Sequence, residues 1–129
     1  MTTILVVEDD QDIRFLLSET VSDLGYEVLE AVDGGAGFRR ALEEHPDVIL
    51  LDVMMPVMDG FQVLEKLKEH AETQPIAVIM VSARGQEQDI MRAIRGGAWG
   101  YLIKPWSQDD LESKINNAVE EVLQERGEL

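Results

Sequence analysis

Cysteine is absent from this chain, which excludes a disulfide framework and any thiolate metal site. Basic residues are scarce. Eleven Lys and Arg against 26 Asp and Glu leave a net charge of −15, which opposes non-specific attraction to nucleic acid or to an anionic membrane surface. No direct nucleic-acid role is therefore expected. No apolar run approaches the length of a membrane span, and Met1-Thr2-Thr3 leads straight into a strand without the apolar segment of a signal peptide. Repeats, linkers and low-complexity stretches are lacking as well. These absences leave a soluble cytoplasmic protein without membrane contact as the default. A length of 129 residues with 45% apolar content suits one domain with one proper core.

What is present is a repeated pattern of apolar runs that end in polar residues. Ile4-Leu5-Val6-Val7 runs into Glu8-Asp9, Val48-Ile49-Leu50-Leu51 into Asp52, Ile76 to Val81 into Ser82, and Tyr101-Leu102-Ile103 into Lys104. Strand and helix alternate five times, with strands expected near 3 to 7, 26 to 32, 47 to 51, 76 to 81 and 99 to 103. Helices are expected near 11 to 24, 35 to 44, 59 to 70, 85 to 96 and 107 to 126. The first, third and fourth strands are continuous aliphatic runs, as strands buried on both faces of a parallel sheet should be. Ile13, Leu16, Leu17, Thr20, Val21 and Leu24 form an apolar stripe on the first helix, and Phe61, Val63, Leu64 and Leu67 one on the third. Gly25 and Gly96-Gly97 fit the ends of the first and fourth helices. Short βα links with right-handed crossovers give an α/β fold, a doubly wound parallel sheet with helices on both faces. In such a sheet ligands bind outside the carboxyl ends of the strands, where all of these polar residues fall.

Three carboxylates in one cleft, Glu8, Asp9 and Asp52, would raise one another's pKa values unless a cation relieved them. An all-oxygen set with few protein ligands suits Mg²⁺ that retains several waters. Lys104 adds a compact positive charge opposite. A divalent metal, a lysine and a free carboxylate together can stabilise a transferring phosphoryl group while the carboxylate attacks it. Asp52 is the candidate nucleophile, and Ser82 can donate a hydrogen bond to a phosphoryl oxygen. The competing reading of Glu8-Asp9 is simple capping of the helix that follows, since carboxylates favour an N-terminus.

With these residues goes a segment, Asp52-Val53-Met54-Met55-Pro56-Val57-Met58-Asp59-Gly60, that resembles the phosphoacceptor loop of bacterial two-component response regulators. Residues 2 to 124 resemble the receiver domain of that family, chemotaxis regulators included. The resemblance implies a five-stranded flavodoxin-like sheet in the order 2-1-3-4-5, and a single receiver domain over residues 1–129, either standing alone or cut from a longer protein. It implies that Asp52 accepts phosphate from a sensor histidine kinase or phosphotransfer protein, and that hydrolysis of the acyl phosphate resets the domain. Mg²⁺ would be held by the Asp9 and Asp52 carboxylates and the Met54 carbonyl, with Glu8 acting through the metal's hydration shell. Lys104 would contact the phosphoryl group, the Lys104-Pro105 peptide would be cis, and Ser82 with Tyr101 would form the conformational switch. Such a domain acts on itself and is not a turnover enzyme; its partner is a downstream protein or output domain. A haloacid-dehalogenase-like phosphatase shares the aspartyl phosphate, but expects a second acid where Met54 stands. A pseudo-receiver that binds partners without phosphorylation is the other alternative, against which the joint presence of Glu8, Asp9, Asp52, Ser82 and Lys104 argues.

Other features carry less chemistry. Gly34-Gly35-Ala36-Gly37 lacks the full dinucleotide-binding pattern and reads as a flexible turn. His45 and His70 stand alone near helix ends. Met54, Met55, Met58, Met80 and Met91 read as packing or loop residues. Trp99-Gly100 and Glu120-Glu121 depart from the charge pattern that winged-helix regulators of the family resemble one another in on the face built by helix four, strand five and helix five. Leu111, Ile115, Ala118, Val119 and Val122 continue toward Leu123 and Leu129, so part of helix five is expected to offer an apolar seam to a second copy or a partner helix, with Trp99 near its centre.

Overall fold

The computed structural model describes residues 1–129, folded as five parallel strands and five helices. The strands are β1 (Thr3–Val7), β2 (Glu27–Ala31), β3 (Val48–Asp52), β4 (Ala77–Ser82) and β5 (Gly100–Ile103). Between and after them lie α1 (Gln11–Asp23), α2 (Gly34–Glu44), α3 (Gly60–Glu69), α4 (Glu87–Arg95) and α5 (Gln108–Glu125). The sheet order is β2-β1-β3-β4-β5, with every neighbouring pair parallel. None of the helices is long and apolar enough to cross a membrane.

Alternation along the strands divides the interior into two cores. Leu5, Val7, Ile49, Leu51, Val78 and Met80 face α2, α3 and α4 with Phe61, Leu64 and Leu67. Ile4, Val6, Val48, Leu50, Ile79 and Val81 face α1 and α5 with Leu17, Val21, Leu111 and Ile115. Each side of the sheet is thereby sealed, which is why β3 and β4 are apolar up to Asp52 and Ser82 at their last positions and β1 is apolar from Ile4 to Val7, with Glu8 just beyond it.

Local signals account for most helix boundaries. Asp10 caps α1 by accepting the Ile13 N–H at 2.9 Å, and Ser107 caps α5 from the Asp110 N–H at 3.0 Å. Asp59 and Gln62 form a reciprocal capping box at α3. Gly25 and Gly97 take positive φ just past α1 and α4, as expected. His45 and His70 are the C-cap residues of α2 and α3.

Four expectations need correction. Leu16 is exposed, so the buried stripe of α1 runs through Leu17, Thr20 and Val21 with Ile13 and Leu24 at its margins. Helix α4 begins at Glu87, two residues after the expected start, because Gln86 offers no side-chain cap and the loop before it is held by other bonds described below. Gly34 to Gly37 are not a flexible turn but the first turn of α2, capped by Asp33. A Cβ on Gly37 would lie 2.8 Å from Val7 Cγ1, so the glycine permits close helix-to-strand packing. Finally, the stripe Leu111, Ile115, Ala118, Val119 and Val122 is wholly buried against the sheet, Leu123 packs beside it, and only Leu129 is exposed. Helix α5 keeps no free apolar seam.

Candidate functional site

Parallel register sets the site. Asp52 pairs with Val81 and Ser82 with Ile103, so the polar ends of β3, β4 and β5 emerge within one residue step of each other, and Lys104 follows Ile103. The β3–α3 loop is drawn tight at its start: the Val53 N–H donates to the Val81 carbonyl at 3.3 Å, and the Gly60 N–H to the Val53 carbonyl at 2.8 Å. A Cβ on Gly60 would collide with the Asp52 carbonyl and stand 2.8 Å from Val53 Cα. Only glycine lets α3 start so close to the end of β3.

At the β1–α1 junction the cap falls to Asp10, which releases Glu8 and Asp9 from the capping role and turns their carboxylates to the pocket. Glu8, Asp9 and Asp52 each place one carboxylate oxygen within 4.8 Å of the others. Glu8 and Asp52 are buried, whereas Asp9 is exposed. The Lys104 Nζ lies 3.5 Å from Glu8 Oε1 and 3.4 Å from Asp52 Oδ1. Burial pushes the Glu8 carboxyl up to about 7; the Asp10 N–H, donating to its Oε2 at 3.1 Å, and Lys104 oppose that rise, while the Asp52 charge adds to it. Burial also raises Asp52, against the lowering effect of Lys104 and a backbone bond from Met54. One lysine leaves three carboxylates under-compensated, and their hard oxygens fit a small divalent cation.

Ser82 is fully buried, and its Oγ accepts the Arg84 N–H at 3.0 Å. Tyr101 is half-buried against the first core, and its hydroxyl donates to the Arg84 carbonyl. Burial raises the Tyr101 pKa. The Lys104–Pro105 peptide is cis. Met54 stands two residues beyond Asp52 with its side chain in solvent. Trp99 and Trp106 pack partly into the second core, and the Trp99 Nε1 donates to Glu121. His45 and His70 lie outside the acidic group.

Two residues escaped sequence reasoning. Arg14 donates to the main chain beneath Glu8 and Asp9, and Asp89 is a buried carboxylate paired with Arg84. A charged residue one position after Ile13 on the inner half of α1 was the only trace of the first; the second reads as an ordinary first-turn acid.

The order 2-1-3-4-5 defines a flavodoxin-like fold, and the acidic pocket with its lysine lies outside the carboxyl ends of the strands, where such folds bind their ligands. The family model of the response regulator receiver domain matches residues 4–116, and the chain belongs to that family. It is 40% identical over 116 residues to protein PilH of Pseudomonas aeruginosa, covering 90% of this chain and 96% of PilH. It is 38% identical over 115 residues to the DNA-binding regulator RpaA of Synechocystis sp., covering 89% of this chain but only 48% of that protein. Among solved structures it resembles a CheY-like receiver domain from Methanospirillum hungatei, with a TM-score of 0.90 and 29% identity over 97% of this chain and 98% of the other. Chemotaxis protein CheY4 of Vibrio cholerae matches with a TM-score of 0.86 and 30% identity over 92% and 98% of the two chains. The chain is thus a receiver domain of the two-component kind, a signalling switch, and spans about half the length of the transcriptional regulator RpaA.

Proposed function

We propose that this receiver takes a phosphoryl group from a sensor histidine kinase or a phosphotransfer protein onto Asp52, with Mg²⁺ held by Asp9, Asp52 and the Met54 carbonyl and, through its hydration shell, by Glu8. The observation that carries the reading is a buried carboxylate at the end of the central strand, 3.4 Å from a lysine and grouped with two further acids. An Asp52 oxygen attacks phosphorus, the phosphorus–nitrogen bond of the donor phosphohistidine breaks, and the imidazole leaves with its electron pair and takes up a proton. Held by these residues, Mg²⁺ would supply positive charge to the transferring phosphoryl group. Lys104 supplies the rest from the opposite side. Water later cleaves the acyl phosphate, restoring the carboxylate and releasing inorganic phosphate, so the protein turns over only itself.

Ser82 donates its hydroxyl to a phosphoryl oxygen, and its movement toward that oxygen stretches the bond that its Oγ accepts from the Arg84 N–H, while Tyr101 reports the change through the Arg84 carbonyl. Exposed Phe15 and Leu16 on α1, and Met54 and Val57 in the loop after Asp52, support docking of a protein donor. Output passes to a downstream protein or output domain in the cytoplasm, without direct nucleic-acid contact by this domain. Incubation with a small phosphodonor and Mg²⁺ tests the assignment. Wild type takes up base-labile label, Asp52→Asn takes up none, and Ser82→Ala is labelled without the wild-type chemical-shift changes around Tyr101. Equal labelling of Asp52→Asn would refute the phosphoacceptor.

A further inference from the structure

The carbonyls of Glu8 and Asp9 fall in a gap of the main-chain hydrogen-bond pattern. The last ladder bond at this point is the Glu8 N–H to the Ala31 carbonyl at 3.1 Å, and the first helical bond is the Arg14 N–H to the Asp10 carbonyl at 2.9 Å. Neither the sheet nor the helix takes the two carbonyls between them. The Arg14 side chain does. Its NH1 donates to the Glu8 carbonyl at 2.9 Å and, more weakly, to the Asp9 carbonyl at 3.4 Å, while its Nε donates to Glu30 Oε1 at 3.1 Å. The Arg14 side chain is only 16% exposed, so the guanidinium is packed on the β1–α1 junction, while Glu30 reaches it from the surface with 47% of its side chain exposed. Glu30 is held in turn within β2, whose carbonyl at the same residue accepts from Arg40 at 3.2 Å.

We infer that Arg14 is a positioning residue of the acidic pocket. It fixes the two peptide units whose side chains are Glu8 and Asp9, and so sets the spacing of their carboxylates against Asp52. The inference rests on the reading of Glu8 and Asp9 as cation-holding acids. Arginine suits the place because its planar fork holds two donors apart in fixed directions, Nε turned to Glu30 and NH1 to the carbonyls, whereas an ammonium presents its donors from a single point on a flexible stem. Mg²⁺ requires near-ideal octahedral geometry at short range, whereas Ca²⁺ accepts longer and less regular oxygen sets. Fixed spacing therefore favours Mg²⁺, and a slack β1–α1 junction should lose Mg²⁺ affinity before Ca²⁺ affinity.

The test measures Mg²⁺ and Ca²⁺ binding by calorimetry on the whole chain, for wild type, Arg14→Ala, Arg14→Lys and Glu30→Gln, beside thermal melts in EDTA. Arg14→Ala should weaken Mg²⁺ binding about 10-fold, as loss of a group that orients metal ligands does. Its Ca²⁺ affinity should fall less. Arg14→Lys should fail to restore the Mg²⁺ affinity, and Glu30→Gln should show a smaller loss in the same direction. If Arg14→Ala does not fold, the Lys and Gln variants carry the same comparison. A lowered melting temperature with wild-type affinity for both ions in the variants would overturn the inference, leaving Arg14 a structural tie. Wild-type affinity in Arg14→Lys alone would overturn the argument for the fork. Absence of Mg²⁺ binding by the wild type would instead refute the metal reading of the pocket, and this inference with it.

Discussion

Arg84 NH2 meets Asp89 Oδ1 at 2.8 Å, and the pair is lopsided: the Asp89 side chain is 7% exposed and that of Arg84 46%. The same Arg84 offers its N–H to Ser82 and its carbonyl to Tyr101, so one residue is bonded to both members of the proposed switch and to the first turn of α4. This web holds the loop that the sequence suggested was already helical.

The lopsidedness makes the two truncations unequal. Arg84→Ala strands a buried carboxylate and should cost about 1–3 kcal/mol. Asp89→Ala leaves an arginine that can rehydrate, and should cost less than about 1 kcal/mol. Urea denaturation of both variants checks the order; a larger loss in Asp89→Ala would mean that the pair is not what anchors α4.

Glu8 gives the metal-free protein an inverted pH dependence. Its carboxyl is pushed up to about 7 in the fold against an ordinary value of 4.5. Between those values the folded state keeps a proton that the unfolded state has released, so unfolding releases it and stability falls as pH rises. The penalty is complete above the folded pKa, and Asp52, raised in the same direction, adds to it. The melting temperature in EDTA should therefore drop from pH 5 to pH 8, and saturating Mg²⁺ should offset the drop. Glu8→Gln should flatten the EDTA profile. A metal-free melting temperature that climbs with pH would contradict the burial of this carboxylate.

Much of this molecule was legible in the chain because buried parallel strands have no room for polar residues except at their ends. Glu8, Asp52, Ser82 and Lys104 stand out for that reason, and the structure brings them together. Boundaries were less legible where they depend on tertiary bonds: the start of α4 is set by Arg84, Ser82 and Asp89, and no local cap announces it. Gly37 misled because its freedom is used for packing against Val7 rather than for a turn. Leu16 misled because a stripe on α1 wider than the surface it covers leaves its margin in water.

Val57 is a strained residue in the loop that follows Asp52. Its φ is 69°, a conformation that a β-branched side chain adopts at a cost, and the Met58 N–H donates across it to the Pro56 carbonyl at 2.8 Å. The side chain is fully exposed and gains nothing by packing. Val57→Asn should therefore stabilise the domain by about 1 kcal/mol, since asparagine tolerates positive φ. Chemical denaturation measures it, and a loss of stability would show that the valine makes a contact worth more than its strain.

On the face built by α4, β5 and α5 the exposed apolar groups lie elsewhere than its sequence suggests. Trp99 is half-buried and tied to Glu121, so it joins β5 to α5 instead of projecting. The exposed apolar groups are Met91 and Ile94 on α4 and Ile103 on β5. Exposed Arg95 on α4 and exposed Glu121 on α5, the partner of Trp99, give the face both signs of charge, which a two-fold related copy could set against each other. We expect phosphorylation to strengthen self-association here, because Ile103 follows Tyr101 on the same strand and Ile94 lies on the helix anchored through Arg84. Sedimentation with and without beryllofluoride should give a dimer only for the mimic-bound wild type. Ile94→Glu should stay monomeric while still accepting label on Asp52, and Trp99→Ala should lose stability yet dimerise. A monomer in every condition would reduce the face to ordinary surface, and dimerisation lost in Trp99→Ala but kept in Ile94→Glu would return the contact to the tryptophan.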